Sequence, residues 1–266
     1  MARGAGAEFI RTEGIRMTLA LITGGSRGLG RSMALHVSAH GGDVILTYRT
    51  RRADADEVVR DITARGRRAL ALQLDVAAPD SFAAFVATLR QVIQQHWQRP
   101  DLDVLINNAG SGVYASVADT TPAAFDKMLN AHLKGPFFLT QQLLPLIRDG
   151  GRILNVSSGV TRYAVPGFAA YAMMKAGIEV FTRYLAVELG PRRITVNTLA
   201  PGAIATDFGG GLLRDNAELM RMIATQTALG RVGEPDDVGA IAALLLTPAA
   251  SWVNGQRLEI TGGFKL

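Results

Sequence analysis

Two side chains able to handle a proton stand four residues apart in Tyr171-Ala172-Met173-Met174-Lys175. At the start of a helical pattern that spacing puts both on one face, one turn apart, where their tips can share a substrate. A free tyrosine ionises near pH ~10, so base catalysis near neutrality needs its phenolate favoured by about three units, roughly 4 kcal/mol. A neighbouring positive charge can supply that preference. Tyrosine and lysine four apart also occur on helix surfaces without chemistry, so the pair needs a site built around it.

The run Thr23-Gly24-Gly25-Ser26-Arg27-Gly28-Leu29-Gly30 supplies one. It follows a first apolar strand and opens an amphipathic helix. Glycines there let the backbone approach a pyrophosphate, while the helix N-terminus offers free N–H groups and a positive dipole end. Gly24, Ser26, Arg27, Gly28, Leu29 and Gly30 are therefore candidate contacts to a dinucleotide. An ordinary tight turn is the competing reading, and the strand-turn-helix context weighs against it. The end of the second strand decides which dinucleotide. An acidic residue there would bond the ribose hydroxyls of NAD, but this chain has Tyr48 and Arg49. Arg49 and Arg27 can form a positive clamp for a 2′-phosphate, so NADP(H) is the expected cofactor. Solvated surface charge at Arg49 and Arg51 is the alternative.

These positions need a scaffold, and short aliphatic runs alternating with longer amphipathic stretches describe one. Strands are expected at 19–23, 44–48, 69–74, 104–106, 152–156, 194–198 and 257–260. Helices are expected at 30–40, 54–65, 80–96, 122–147, 171–189 and 235–246. This alternation is that of a doubly wound α/β protein: a Rossmann-type seven-stranded parallel sheet with helices on both faces, closed as one domain over 17–266. Residues 1–16 show no period and read as a flexible tail ahead of Met17. The 206–229 stretch, with Gly209, Gly210 and Gly211 before a short helical pattern, reads as a mobile lid over the substrate.

Composition narrows the classes. Of 266 residues, 48% are hydrophobic, which suffices for a buried sheet, and no uncharged apolar run is long enough to span a membrane. The N-terminus lacks the apolar core of a signal peptide, and a cytoplasmic location is expected. There is no cysteine, which removes disulfides and thiol nucleophiles from consideration. The net charge of +5 is scattered, without the basic stripe of a nucleic-acid binder. His36, His40 and His96 fall singly, without metal-ligand spacing, so no metal is expected. Trp97 and Trp252 read as core or interface anchors.

The order of motifs carries a resemblance. The glycine turn, Asn107-Asn108-Ala109-Gly110 after the fourth strand, Ser157-Ser158 after the fifth, Tyr171 with Lys175, and Pro201-Gly202 after the sixth resemble the short-chain dehydrogenase/reductase family over about residues 18 to 263. The chain is similar to single-domain members of the 3-oxoacyl-ACP reductase and glucose dehydrogenase kinds. The resemblance implies hydride transfer between a nicotinamide and a carbonyl or secondary alcohol, with Tyr171 as acid/base. It implies that Lys175 binds the nicotinamide ribose and lowers the tyrosine pKa. Ser158, thirteen residues before Tyr171, would hydrogen-bond the substrate carbonyl. Asp75 and Val76 would bracket the adenine. Asn107, Ala109 and Gly110 would wall the adenosine ribose and support the central strand. Pro201, Gly202, Ile204 and Thr206 would hold the nicotinamide carboxamide. A homotetramer or homodimer, packed through the helices at 122–147 and 171–189, is implied as well.

One position departs from the family. Where a catalytic asparagine is expected in an N-x-x-G-x-F frame, this chain has His132-Leu133-Lys134-Gly135-Pro136-Phe137. Asn130 lies about 200° round the helix and cannot simply substitute. The imidazole either joins the proton relay, as a group that titrates near neutrality could, or is satisfied locally at a helix kink. Two other functions stay open: a catalytically silent NADP(H) sensor on the same fold, and a sugar-nucleotide epimerase or dehydratase, whose glycine turn is spaced differently.

Overall fold

The computed structural model describes residues 18–266; the tail expected at 1–16 and its boundary at Met17 lie outside the described residues. Seven strands, β1 Leu19–Ile22, β2 Asp43–Tyr48, β3 Ala69–Gln73, β4 Leu102–Asn107, β5 Ile147–Val156, β6 Thr195–Pro201 and β7 Arg257–Ile260, form one sheet in the order β3-β2-β1-β4-β5-β6-β7. Every neighbouring pair is parallel. The order reverses between β1 and β4, which opens a crevice at the carboxyl ends of those strands. Strands covered on both faces have no polar side to display, which is why β1, β2 and β4 read as nearly unbroken apolar runs.

The helices are α1 Gly28–Ala39, α2 Arg52–Ala64, α3 Phe82–Trp97, α4 Pro122–Leu129, α5 Gly135–Leu143, α6 Ala169–Glu188, α7 Leu212–Asp215, α8 Ala217–Ala224 and α9 Pro235–Leu245. Met33 and Val37 of α1, Val58 and Ile62 of α2, and Val238 and Ala242 of α9 bury one sheet face. Phe82, Leu89 and Ile93 of α3, Leu139 and Leu143 of α5, and Leu185 of α6 bury the other. Far from the crevice, the buried Asp43 accepts from Arg67, Arg68 and the Trp97 indole at 2.8 Å. Those bonds hold its carboxyl below the usual range against the opposing effect of burial, so Trp97 is a core anchor.

The continuous helix expected at 122–147 is broken. Residues Asn130–Lys134 form a π turn between α4 and α5, in which the Gly135 N–H reaches back to the Asn130 carbonyl. Pro136 explains it: it has no N–H for the His132 carbonyl, and its ring would collide with that carbonyl in a regular helix. The helical run also stops at Leu143, and Ile147 already pairs with Leu102 before a register shift leads into Arg152–Val156.

Candidate active site

The glycine turn is held by its neighbours rather than by itself. The Asn108 and Ala109 N–H groups donate to Thr23 Oγ1 at 2.9 and 3.0 Å, and Asn108 Nδ2 donates to the Thr23 and Gly24 carbonyls. Gly24 N–H donates to Thr47 Oγ1 and Gly25 N–H to the Thr47 carbonyl, which ties the turn to β2. No side chain fits at Gly30, where a Cβ would stand 2.2 Å from the Gly24 carbonyl oxygen, or at Gly24, where it would meet Ala109 Cα at 2.9 Å. Ser26 is buried and Leu29 packs on the core. The α1 N-terminus has no side-chain cap and no acid in its first turn, and Gly28 sits at φ +52° with only Thr206 nearby, at 3.7 Å. Its N–H groups and dipole are therefore free to meet an anion.

Beyond β2, the exposed Arg49 and the Asp75 that follows β3 line one cavity of about 800 Å³ with Leu74 and Phe85. Asp75 also accepts from the Ala77 N–H at 2.9 Å. Val76 is buried, with its carbonyl against Gly135. Arg49 is exposed at this cavity, whereas Arg27, expected to form a clamp with it, pairs with Asp207 at 2.8 Å. Asn107 turns into the sheet, donating to Thr140 Oγ1 and Asn155 Oδ1, so it supports the central strands while Ala109 packs on Gly24. On the other side of the crevice Pro201 ends β6. Gly202 N–H donates to the Ile260 carbonyl, Ile204 bridges Gly233, and Thr206 returns to Gly28.

Tyr171 and Lys175 rise from one face of α6 as their spacing requires, with Lys175 Nζ 5.6 Å from the Tyr171 ring centre. Lys175 donates to the Val156 carbonyl at 2.7 Å, and burial lowers its pKa to about 7. Burial also pushes the Tyr171 phenol well above its ordinary value, while its hydrogen bond with Ser158 pulls the other way. Burial outweighs the serine, so the net direction of the phenol's shift is upward. Tyr171 is a protonated acid at neutral pH.

His132 lies in the π turn, 1% exposed, with its ring edge-on to Tyr171 at 5.0 Å between centroids. Nε2 is 2.5 Å from the Ser111 carbonyl, and a side chain at Gly110 would strike the imidazole. Burial, and then the Lys175 charge, lower its pKa to about 3. The ring is therefore neutral at physiological pH. This argues against a group that titrates near neutrality, while the ring is satisfied only on its Nε2 side: Nδ1 is buried without a hydrogen-bond partner.

Three side chains missing from the sequence reading complete the site. Glu179, one turn past Lys175 on the same face, accepts on a single oxygen from Ser157 Oγ, Thr161 Oγ1 and Arg257 Nε at 2.7 to 2.8 Å. It anchors the turn that carries Ser158, and the i, i+4, i+8 spacing from Tyr171 was the signal for it. Phe208 tilts over Tyr171 at 5.5 Å and touches Gly112. Asp207 holds Arg27, a contact no local periodicity could reveal.

A protein-family model described as Enoyl-(Acyl carrier protein) reductase matches residues 24–265. Tetrahydroxynaphthalene reductase PfmaG of Pestalotiopsis fici is 36% identical over 256 residues, covering 92% of this chain and 90% of the relative. An NADPH-dependent aldehyde reductase-like chloroplastic protein of Arabidopsis thaliana is 34% identical, with 92% and 93% covered. Among solved structures, the angucycline C-6 ketoreductase LanV with bound NADP superposes with a TM-score of 0.88 at 35% identity, over 93% of this chain and 95% of that one. A short-chain dehydrogenase/reductase from Serratia marcescens gives 0.85 at 31%, over 94% and 98%.

Proposed function

Because the chain belongs to the short-chain dehydrogenase/reductase family, we propose that it is an NADP(H)-dependent ketoreductase that reduces the carbonyl of a planar aromatic ketone. The observation that carries this reading is the wall of rings around the Tyr171 phenol. Phe168 faces Tyr171 at 6.2 Å and Tyr114 at 5.6 Å, and Phe208 covers the same phenol, so a flat aromatic body meets rings on several sides. Relatives named for hydroxynaphthalene and angucycline ketone reduction support that substrate class.

The residues fit the cofactor. The uncapped α1 N-terminus suits a pyrophosphate, and Arg49 stands where an NAD-selective acid would be. Gly24, Ser26, Arg27, Gly28, Leu29 and Gly30 would hold the phosphates, Asp75 and Val76 the adenine end, Ala109 and Gly110 the ribose wall, and Pro201, Gly202, Ile204 and Thr206 the carboxamide. NADPH, when bound, supplies the hydride at nicotinamide C4. Ser158 orients the substrate oxygen. Tyr171 gives its phenolic proton to that oxygen as negative charge develops there. Lys175, whose pKa burial lowers to about 7, would bind the nicotinamide ribose hydroxyls and return a proton towards the tyrosine.

The substrate class is tested by following NADPH absorbance with bicyclic aryl ketones and with small aliphatic ketones. We expect kcat/KM for the aryl ketones to be at least tenfold higher, and higher with NADPH than with NADH. Equal rates across the panel would remove the aromatic assignment, and tight NADPH binding without turnover of any carbonyl would restore the sensor reading.

A symmetric homodimer or homotetramer is part of the same proposal. Phe137, Phe138, Val180, Tyr184 and Val187 leave an exposed apolar face on α5 and α6, with Val187 79% exposed. A surface of that kind favours burial against a second copy. Light scattering that finds only monomer at micromolar concentration would contradict it.

A further inference from the structure

The segment after β6 touches both halves of the site within three residues. Thr206 lies over Gly28, Asp207 pairs with Arg27, and Phe208 covers Tyr171. Gly209, Gly210 and Gly211 follow, all at positive φ between +63° and +83°, so the strap is attached to a turn that few other residues could make. Asp207 is the charged member of the strap. It accepts from Arg27 on one oxygen and from Arg214 on the other.

Asp207 takes up the Nη1 donor of Arg27, so a phosphate can use the whole guanidinium fork only when that pair is released. We propose that Asp207 is a cofactor-selectivity residue: it competes with the 2′-phosphate of NADP(H) for Arg27 and so sets how strongly the enzyme discriminates NADP(H) from NAD(H). The inference rests on the reading that Arg27 serves the 2′-phosphate. Arg27 and Asp207 are 46% and 32% exposed, which limits their pair to the modest range of surface ion pairs. Its strength acts as a reduction of apparent affinity, because only the fraction of molecules with Arg27 released is ready for the phosphate. A ligand without a 2′-phosphate gains nothing from that release. Asp207 therefore lowers affinity for one cofactor and leaves the other nearly untouched, although it lies outside both the glycine turn and the end of β2.

The test is equilibrium titration of the full-length protein with adenosine 2′,5′-bisphosphate and with AMP, which separates phosphate recognition from turnover. Asp207→Asn should bind the bisphosphate about threefold to fivefold more tightly, with AMP changed by less than about twofold. Arg27→Gln should weaken the bisphosphate by about tenfold or more and abolish the difference between Asp207 and its asparagine variant. Both residues are on the surface, and melting curves verify that the variants fold. If Arg27→Gln leaves bisphosphate affinity intact, the assignment of Arg27 to the 2′-phosphate fails. If Arg27→Gln weakens binding but Asp207→Asn has no effect, or keeps its full effect without Arg27, competition is overturned and Asp207 acts at most as a general negative charge.

Discussion

Replacing Lys175 by methionine should stabilise the protein towards neutral pH relative to alkaline pH, and the dependence is calculable. In the fold the ammonium titrates at about 7, against 10.5 for an unperturbed lysine, and the cause is burial. Between those values the unfolded chain carries the proton and the folded chain does not. Stability therefore rises with pH through this window, by up to ~1.4 kcal/mol per unit. Below the window both states are protonated and the full penalty is present; above it both are neutral and the penalty is gone. Integrated from about pH 7 to about pH 9, the relief is roughly 2 kcal/mol. The methionine variant lacks this group, and every other titrating residue is common to both proteins. The Val156 carbonyl loses its donor in the variant, at about 1–3 kcal/mol, but that cost does not depend on pH. The difference in melting temperature between wild type and Lys175→Met should therefore shift by about 5 °C in favour of the wild type from pH 7 to 9. Thermal denaturation followed by circular dichroism, without nucleotide, measures it. A difference that stays constant across that range would mean that the lysine keeps its proton in the fold, and that burial does not control it.

Further substitutions probe the rest of the site. His132→Asn should lower kcat by less than about tenfold and leave the pH profile in place, since the imidazole is neutral far above its pKa of about 3. Near-total loss in steady-state kinetics would show that the ring itself is required. Gly30→Ala must displace the Gly24 carbonyl, so nucleotide affinity should fall about tenfold or more, with roughly 1–3 kcal/mol of destabilisation in denaturant titrations. Wild-type affinity in that variant would mean the turn is not the phosphate site. Glu179→Gln weakens the charged anchor of the Ser158 turn. It should reduce kcat about tenfold with KM little changed, whereas a change confined to melting temperature would reduce Glu179 to a structural role.

The parallel sheet was legible because strands buried on both faces leave continuous apolar runs, as Leu19–Ile22 does between helices patterned for burial. Tyr171, Lys175 and Ser158 converge because their spacings act within one helix and one strand end. The break at Asn130–Lys134 was missed although Pro136 announces it, since the apolar period of the surrounding helix runs straight across. The ends of β5 and β6 depend on pairing with distant strands and carry no local mark. Arg27 reads as a phosphate contact from its type and its place in the glycine turn, and its partner Asp207 is 180 residues away. For His132, sequence left a titrating relay and a satisfied ring equally open. Burial argues against the titrating relay, while the unpartnered Nδ1 shows the ring to be satisfied on one side only, and both are properties of the fold.

The central claim is that Tyr171 delivers the proton during NADPH-dependent ketone reduction. Single-turnover reduction of a bicyclic aryl ketone by the NADPH complex of wild type and Tyr171→Phe tests it most directly, alongside NADPH titration of both proteins. The phenylalanine variant should bind NADPH within about twofold of wild type and reduce the ketone at least about a thousandfold more slowly, the loss of a positioned acid and its hydrogen bond. Reduction at near wild-type rate by Tyr171→Phe, with NADPH bound, would contradict the account.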